Sequence, residues 1–174
     1  MVAPKADHRR VDSLVRLLNE LAEAHEQLLG AVEEKIEAMR SADTDRIRQT
    51  IEREQTLVEC IDEREGLRRQ LTESIVRAYG LGAVAARRLS ARQLAKRLGA
   101  PHAETILAAG RRLQELTARI ARRNHVAQLI SQNILRHMKH VFAAMTVARS
   151  GAVGYSPEGE AFVVGAEKIF DAVG

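Results

Sequence analysis

At 174 residues the chain is long enough for one domain and too short for two comfortable ones. It is 29% charged and 45% hydrophobic, with 3% aromatic residues and no Trp. That balance fits long helices and argues against a β-sandwich, whose strands draw on aromatic and β-branched side chains. A single Cys60 excludes a disulfide framework and any zinc site built on several cysteines. No apolar run approaches the roughly 18–20 residues of a membrane span, and the polar start MVAPKADHRR lacks a signal-peptide core. The expectation is a soluble, cytoplasmic, helical protein.

Proline occurs only at Pro4, Pro101 and Pro157, so nothing from Lys5 to Ala100 forces a helix to stop. The first helix is expected from Asp7, a natural N-cap, to about Met39. Leu14, Leu18, Leu21, His25, Leu28, Val32, Ile36 and Met39 recur at spacings of three and four, widened by Leu17 and Leu29. Ser41-Ala42-Asp43-Thr44 breaks the pattern with side chains that compete for backbone groups. A second helix should start at Asp43 or Thr44 and reach Tyr79, ending at Gly80 and Gly82. Ile47, Ile51, Val58, Ile61, Leu71 and Ile75 form its apolar face, with Leu57 and Leu67 beside it. Its middle, Asp62-Glu63-Arg64-Glu65 followed by Gly66, is its weak point. A connector this short makes an antiparallel hairpin over residues 8–79.

Ser90-Ala91-Arg92-Gln93 has the form of a capping box, opening a short helix over 90–99 that carries Leu94 and Leu98 and closes at Gly99. Pro101 then sits where a helix best tolerates proline. From there to Arg149 the apolar residues Ile106, Ala109, Leu113, Leu116, Ile120, Ala127, Ile130, Ile134, Val141 and Met145 keep a helical spacing. At about 1.5 Å per residue this helix is roughly 73 Å long. Gly151, Gly154, Ser156, Pro157 and Gly159 mark residues 151–174 as a separate, flexible C-terminal segment, ordered on binding. The fold expected is all-α: an elongated antiparallel bundle or coiled coil of three long helices plus a short connecting helix, filling residues 1–150.

Little in the chain suggests catalysis. No glycine-rich phosphate loop, nucleophile elbow or paired-carboxylate arrangement is present, so no enzyme and no cofactor are expected. His137 and His140 share a helix face, but no Glu-x-x-His pattern accompanies them, and no metal site is expected. His25 reads as a core histidine with a polar partner. Charge is more informative: residues 11–75 carry nine Lys/Arg against sixteen Asp/Glu, whereas residues 87–123 carry ten against two. Either Arg87, Arg88, Arg92, Lys96, Arg97, Arg111 and Arg112 contact nucleic acid, or the basic helix pairs with the acidic hairpin; the second reading is preferred. Ala95 and Gly99 have helix-turn-helix spacing, but Pro101 and the long following helix fit that motif poorly.

The sequence LVRLLNELAEAHEQLLGAVEEKIEAMRSADTDRIRQTIEREQTLVECIDERE combines a Leu-rich helix holding His-Glu-x-Leu-Leu, a short Asp-containing break and a charged helix. LSARQLAKRL follows, then Leu116 to Met138 with Asn124 and Asn133, then Tyr155. This order resembles the FlgN-type flagellar export chaperones over about residues 11 to 160. The resemblance implies a cytoplasmic, non-enzymatic chaperone that binds hook-filament junction proteins (the hook-associated proteins FlgK and FlgL) before type III export. It also implies client binding by the C-terminal part, with the export apparatus as a further partner. Ile134, Met138, Val141, Phe142, Met145, Tyr155 and Phe162 are the expected partner-binding residues, because the first helix is too short to cover all of the long one. The alternatives are a nucleic-acid-binding helical protein using residues 87–123 and a structural coiled-coil scaffold.

Overall fold

The computed structural model describes residues 5–78, 91–98, 102–150, 153–155 and 161–163. Within them lie α1 (Lys5–Arg40), α2 (Thr44–Ala78), α3 (Ala91–Leu98) and α4 (His102–Ser150). Two three-residue strands follow, β1 (Val153–Tyr155) and β2 (Ala161–Val163). The expected features at Tyr79, Gly80, Gly82, Arg87, Arg88, Ser90, Gly99, Pro101, Gly151, Ser156, Pro157 and Gly159, and in the last eleven residues, lie outside the described ones. The chain divides into two compact units, residues 1–127 and 128–174. The division falls inside α4, whereas the composition change put it at residue 150.

In the first unit the α1–α2 turn follows from its hydrogen bonds. Ala42 takes a left-handed conformation with φ of 54°. The amide of Ala42 donates to the Met39 carbonyl at 3.3 Å and that of Asp43 to the Ala38 carbonyl at 3.0 Å, which satisfies two of the free carbonyls ending α1. Asp43 then starts α2: its Oδ1 accepts from the Arg46 amide at 3.0 Å, the expected cap. Asp7, by contrast, is not the cap of α1, because that helix already begins at Lys5.

α1 and α2 form the tight hairpin, with Cα–Cα approaches within 8 Å. Ala24, Ala31 and Ala38, one every seventh residue of α1, are all buried, and their small side chains permit that closeness. The seam of α2 differs from the one its apolar residues suggested. Ile51 and Val58 are exposed, as is Leu67, while Thr50 and Thr72 are buried with Ile61, Ile75 and Val76. Thr50 can be buried because its hydroxyl donates to the carbonyls of Arg46 and Ile47, at 3.0 and 2.8 Å. Lys35 of α1 meets Glu54 of α2 at 2.5 Å, with both side chains mostly buried. The charged middle of α2 stays helical; Arg68 pairs with Glu65 at 2.9 Å and Arg64 approaches Glu20 at 3.9 Å.

All four helices meet in one apolar cluster. Val11, Leu14 and Leu18 of α1, Ile75 and Val76 of α2, Leu94 of α3, and Ile106 and Ala109 of α4 pack together there. Farther along, Ala22 and Leu29 pack with Leu116 and Ile120. Burying one such Leu or Ile side chain contributes about 1.5–3 kcal/mol. His102 lies 3.7 Å from Asp12, Arg112 bonds Glu26 at 2.8 Å, and Arg123 bonds Glu33 at 3.0 Å. These pairs advance together along both helices, so this part of α4 runs parallel to α1 and antiparallel to α2. His25 bonds within its own helix, its Nδ1–H donating to the Leu21 carbonyl at 2.7 Å.

In the second unit the segment expected as a flexible linker contains a β-hairpin. β1 and β2 pair antiparallel, with Val153 opposite Val163, Gly154 opposite Phe162 and Tyr155 opposite Ala161. The physical reason is composition: Val153, Tyr155, Phe162 and Val163 are residue types that favour a pleated strand. Apart from this hairpin the fold is all-α, and the long helices of the first unit form the expected helical bundle.

Candidate functional site

In α4 the side-chain environment changes at Ala127, the last buried residue of that helix among the described ones. Before it, Ile106, Ala109, Leu116, Ile120 and Ala127 are buried at helical spacing. Beyond it the spacing continues, but apart from the half-buried Ile130 the large apolar side chains among the described residues face solvent. Leu129, Ile134, Leu135, Met138, Val141, Phe142 and Met145 are each between 40% and 59% exposed. Val141 and Met145, which keep the spacing of the buried residues before them, are 42% and 52% exposed.

At about 100° per residue, Ile134, Leu135, Met138, Val141, Phe142 and Met145 fall within an arc of about 120°. Leu129 lies off that arc. The six make one continuous ribbon about 16 Å long, bordered by Lys139 on one side and His137 on the other. Gln132, Asn133, Arg136 and His140 occupy the back of the helix. Isolated exposed apolar side chains are normal; six large ones in a single ribbon form a contiguous apolar patch on the helix.

The sequence therefore placed Ile134, Met138, Val141, Phe142 and Met145 together on one surface and overlooked Leu135. Leu135 is the most exposed of the large apolar residues among the described ones, at 59%. It lies three residues before Met138 and seven before Phe142, a heptad relation visible in the sequence. Tyr155 and Phe162, the other two expected partner residues, sit on β1 and β2 at adjacent register positions.

Other chemistry is sparse. Among the described residues no group of three or more His, Cys, Asp or Glu side chains is arranged to hold a metal ion. None of the described helices is long and apolar enough to cross a membrane. A shallow groove in the first unit, between Ser13, Leu17 and Glu20 of α1 and Leu67, Gln70 and Ser74 of α2, contains no cluster of reactive groups. Of the basic residues put forward for nucleic acid, Arg112 is engaged with Glu26, and the nearby Arg123 with Glu33.

No curated protein and no solved structure matches the chain. The model of the FlgN protein family does match, over residues 1–161, taking in the hairpin, the whole of α4 and β1. With a helical hairpin, a short connecting helix and a long final helix carrying a bare apolar ribbon, the chain belongs to the FlgN family of flagellar export chaperones.

Proposed function

We propose that this chaperone holds hook-associated proteins, of the FlgK and FlgL type that form the hook-filament junction, in the cytoplasm before type III export. It does so by binding and catalyses no reaction. The observation that carries the reading is the exposed apolar ribbon of α4. A client's amphipathic terminal helix would self-associate if free, and laying its apolar face on Ile134, Met138, Val141, Phe142 and Met145 removes that face from water. Two methionines suit recognition of more than one client, because the thioether chain repacks easily. Tyr155 and Phe162, carried on the hairpin of the same unit, are the second part of the site. A scaffold role would leave the ribbon unexplained. A nucleic-acid role would use the basic region 87–123, where Arg112 already pairs with Glu26.

Two variants test this: truncation after Ser150, and Phe142→Ala in the full chain. Each is expected to keep its helicity by circular dichroism and to weaken binding of a purified hook-associated protein at least about tenfold, the cost of one well-buried aromatic anchor. Unchanged affinity in both would place the site elsewhere, on the hairpin of α1 and α2.

A further inference from the structure

We propose that the groove between α1 and α2 in the first unit is a second docking surface, which seats a short acidic helix of a partner protein. The proposal does not depend on the ribbon of α4. α3 and α4 occupy one side of the hairpin, where Leu94 and Ile106 pack against Val11, Leu14, Ile75 and Val76. On the opposite side two hollows of about 480 and 560 Å³ share Gln70 and Ser74, so they form one continuous groove. The buried Leu17 and half-buried Leu71 lie at its base, and Leu67, 54% exposed, stands at its edge. Its α1 wall, from Arg10 to Glu20, is about 15 Å long, or about three helical turns. A slot of this length between two antiparallel helices accepts the side chains of a third helix laid along it.

Charge selects the occupant. Arg10 and Arg16 line the groove, both are exposed, and neither has an ion-pair partner among the described residues. The two carboxylates that line it are already engaged, Glu20 lying 3.9 Å from Arg64 and Glu73 3.5 Å from Arg77. The surplus is therefore positive. Arg9 adds to it, because it stands seven residues before Arg16 on the same side of α1 and is also exposed. Toward the hairpin turn the sign reverses: Glu23 takes the next place seven residues after Arg16, and Glu63 the place seven residues before Gln70. An acidic helix is attracted to the arginine end and repelled beyond it, which fixes its place along the groove. Nucleic acid would meet the arginines but leave Leu67 in water, and among the described residues the groove has no aromatic side chain for base stacking. A helix with a Leu-type stripe flanked by Asp or Glu meets both the base and the rim.

The test uses the full-length protein and two labelled, helix-stabilised peptides of three turns. Both carry the same Leu stripe, one flanked by Glu and the other by Lys. The Glu-flanked peptide is expected to bind at least about tenfold more tightly at low salt, with the ratio shrinking at high salt. Arg10→Glu combined with Arg16→Glu should abolish that preference, and Leu67→Ser should weaken both peptides, with helicity retained because all three side chains are exposed. Phe142→Ser should change neither affinity, whereas it should weaken binding of a hook-associated protein to the ribbon. Equal affinities, or a Glu preference that survives in the double variant, would overturn the proposal. Loss of the peptide on Phe142→Ser would do the same, by placing it on the ribbon. If neither peptide binds, the groove proposal falls and client docking on α4 stands. Sedimentation velocity and a DNA duplex competitor complete the set. A dimer dissolved by the double variant, or DNA that displaces the Glu-flanked peptide, would give the groove to another occupant and overturn the proposal.

Discussion

The two parts of α4 on either side of Ala127 are built from the same apolar residue types at the same helical spacing, yet their surroundings are opposite. Ile106 is 1% exposed and Leu116 5%, whereas Leu135 is 59% exposed and Phe142 56%. In the first part Arg112 and Arg123 meet carboxylates, Glu26 and Glu33 on α1; in the second Arg136 and Lys139 meet none among the described residues. Periodicity therefore establishes that a helix has an apolar face but not what covers it. The first stripe is covered by the chain itself, and the second faces solvent.

The comparison breaks most sharply under truncation of one residue from each part. Ile106→Ala removes a side chain from the cluster where all four helices meet, and is expected to destabilise the fold by about 3 kcal/mol. Phe142→Ala removes a larger side chain that is already mostly in water, and is expected to change stability by less than about 0.5 kcal/mol. Urea denaturation followed by circular dichroism checks both. A large loss from Phe142→Ala would mean that the ribbon is covered within the chain.

Much of this division was legible in the residues. The turn at Ser41–Thr44, the short helix near 91–98 and the long helix from 102 were placed within a residue or two, because caps, glycines and prolines act locally. The seam of α2 was not legible. Its buried line passes through Thr50, Glu54, Ile61 and Thr72, and only the presence of Lys35 opposite Glu54, and of nearby carbonyls for the threonine hydroxyls, makes those positions suitable. Ile51 and Val58 read as core from their type alone and prove to be exposed. The β-hairpin was missed for another reason: strands of three residues are too short to display an alternation. The ribbon was found because Met138 and Phe142 widen the apolar stripe beyond what one neighbouring helix requires.

A middle-sized effect sharpens the contrast. Gly66 lies inside α2, and a Cβ added there would meet nothing within 4 Å. Gly66→Ala is therefore expected to raise stability by about 0.5–1 kcal/mol, through the backbone freedom that alanine removes from the unfolded chain. Hydrogen exchange should then slow in α1, α2 and residues 102–127, which unfold with the hairpin. Exchange in residues 128–146 should stay as it was, since most of those side chains face solvent. Equal slowing in both parts of α4 would show that they open as one unit, contrary to the division at Ala127.

The smallest effect distinguishes paired from unpaired charge. Arg123 bonds Glu33 at 3.0 Å, with the two side chains 47% and 41% exposed. A pair this open to solvent is worth roughly 0.2–1 kcal/mol, so Arg123→Ala should lower stability by no more than that. A double-mutant cycle with Glu33→Ala isolates the interaction from the packing of the long arginine stem. Arg136→Ala, with no carboxylate partner among the described residues, should leave stability unchanged or slightly higher, as it relieves repulsion along a helix segment without acids. Were Arg136→Ala to destabilise the fold as much as Arg123→Ala does, Arg136 would already have a carboxylate partner within the chain. The electrostatic difference between the two parts of α4 would then disappear.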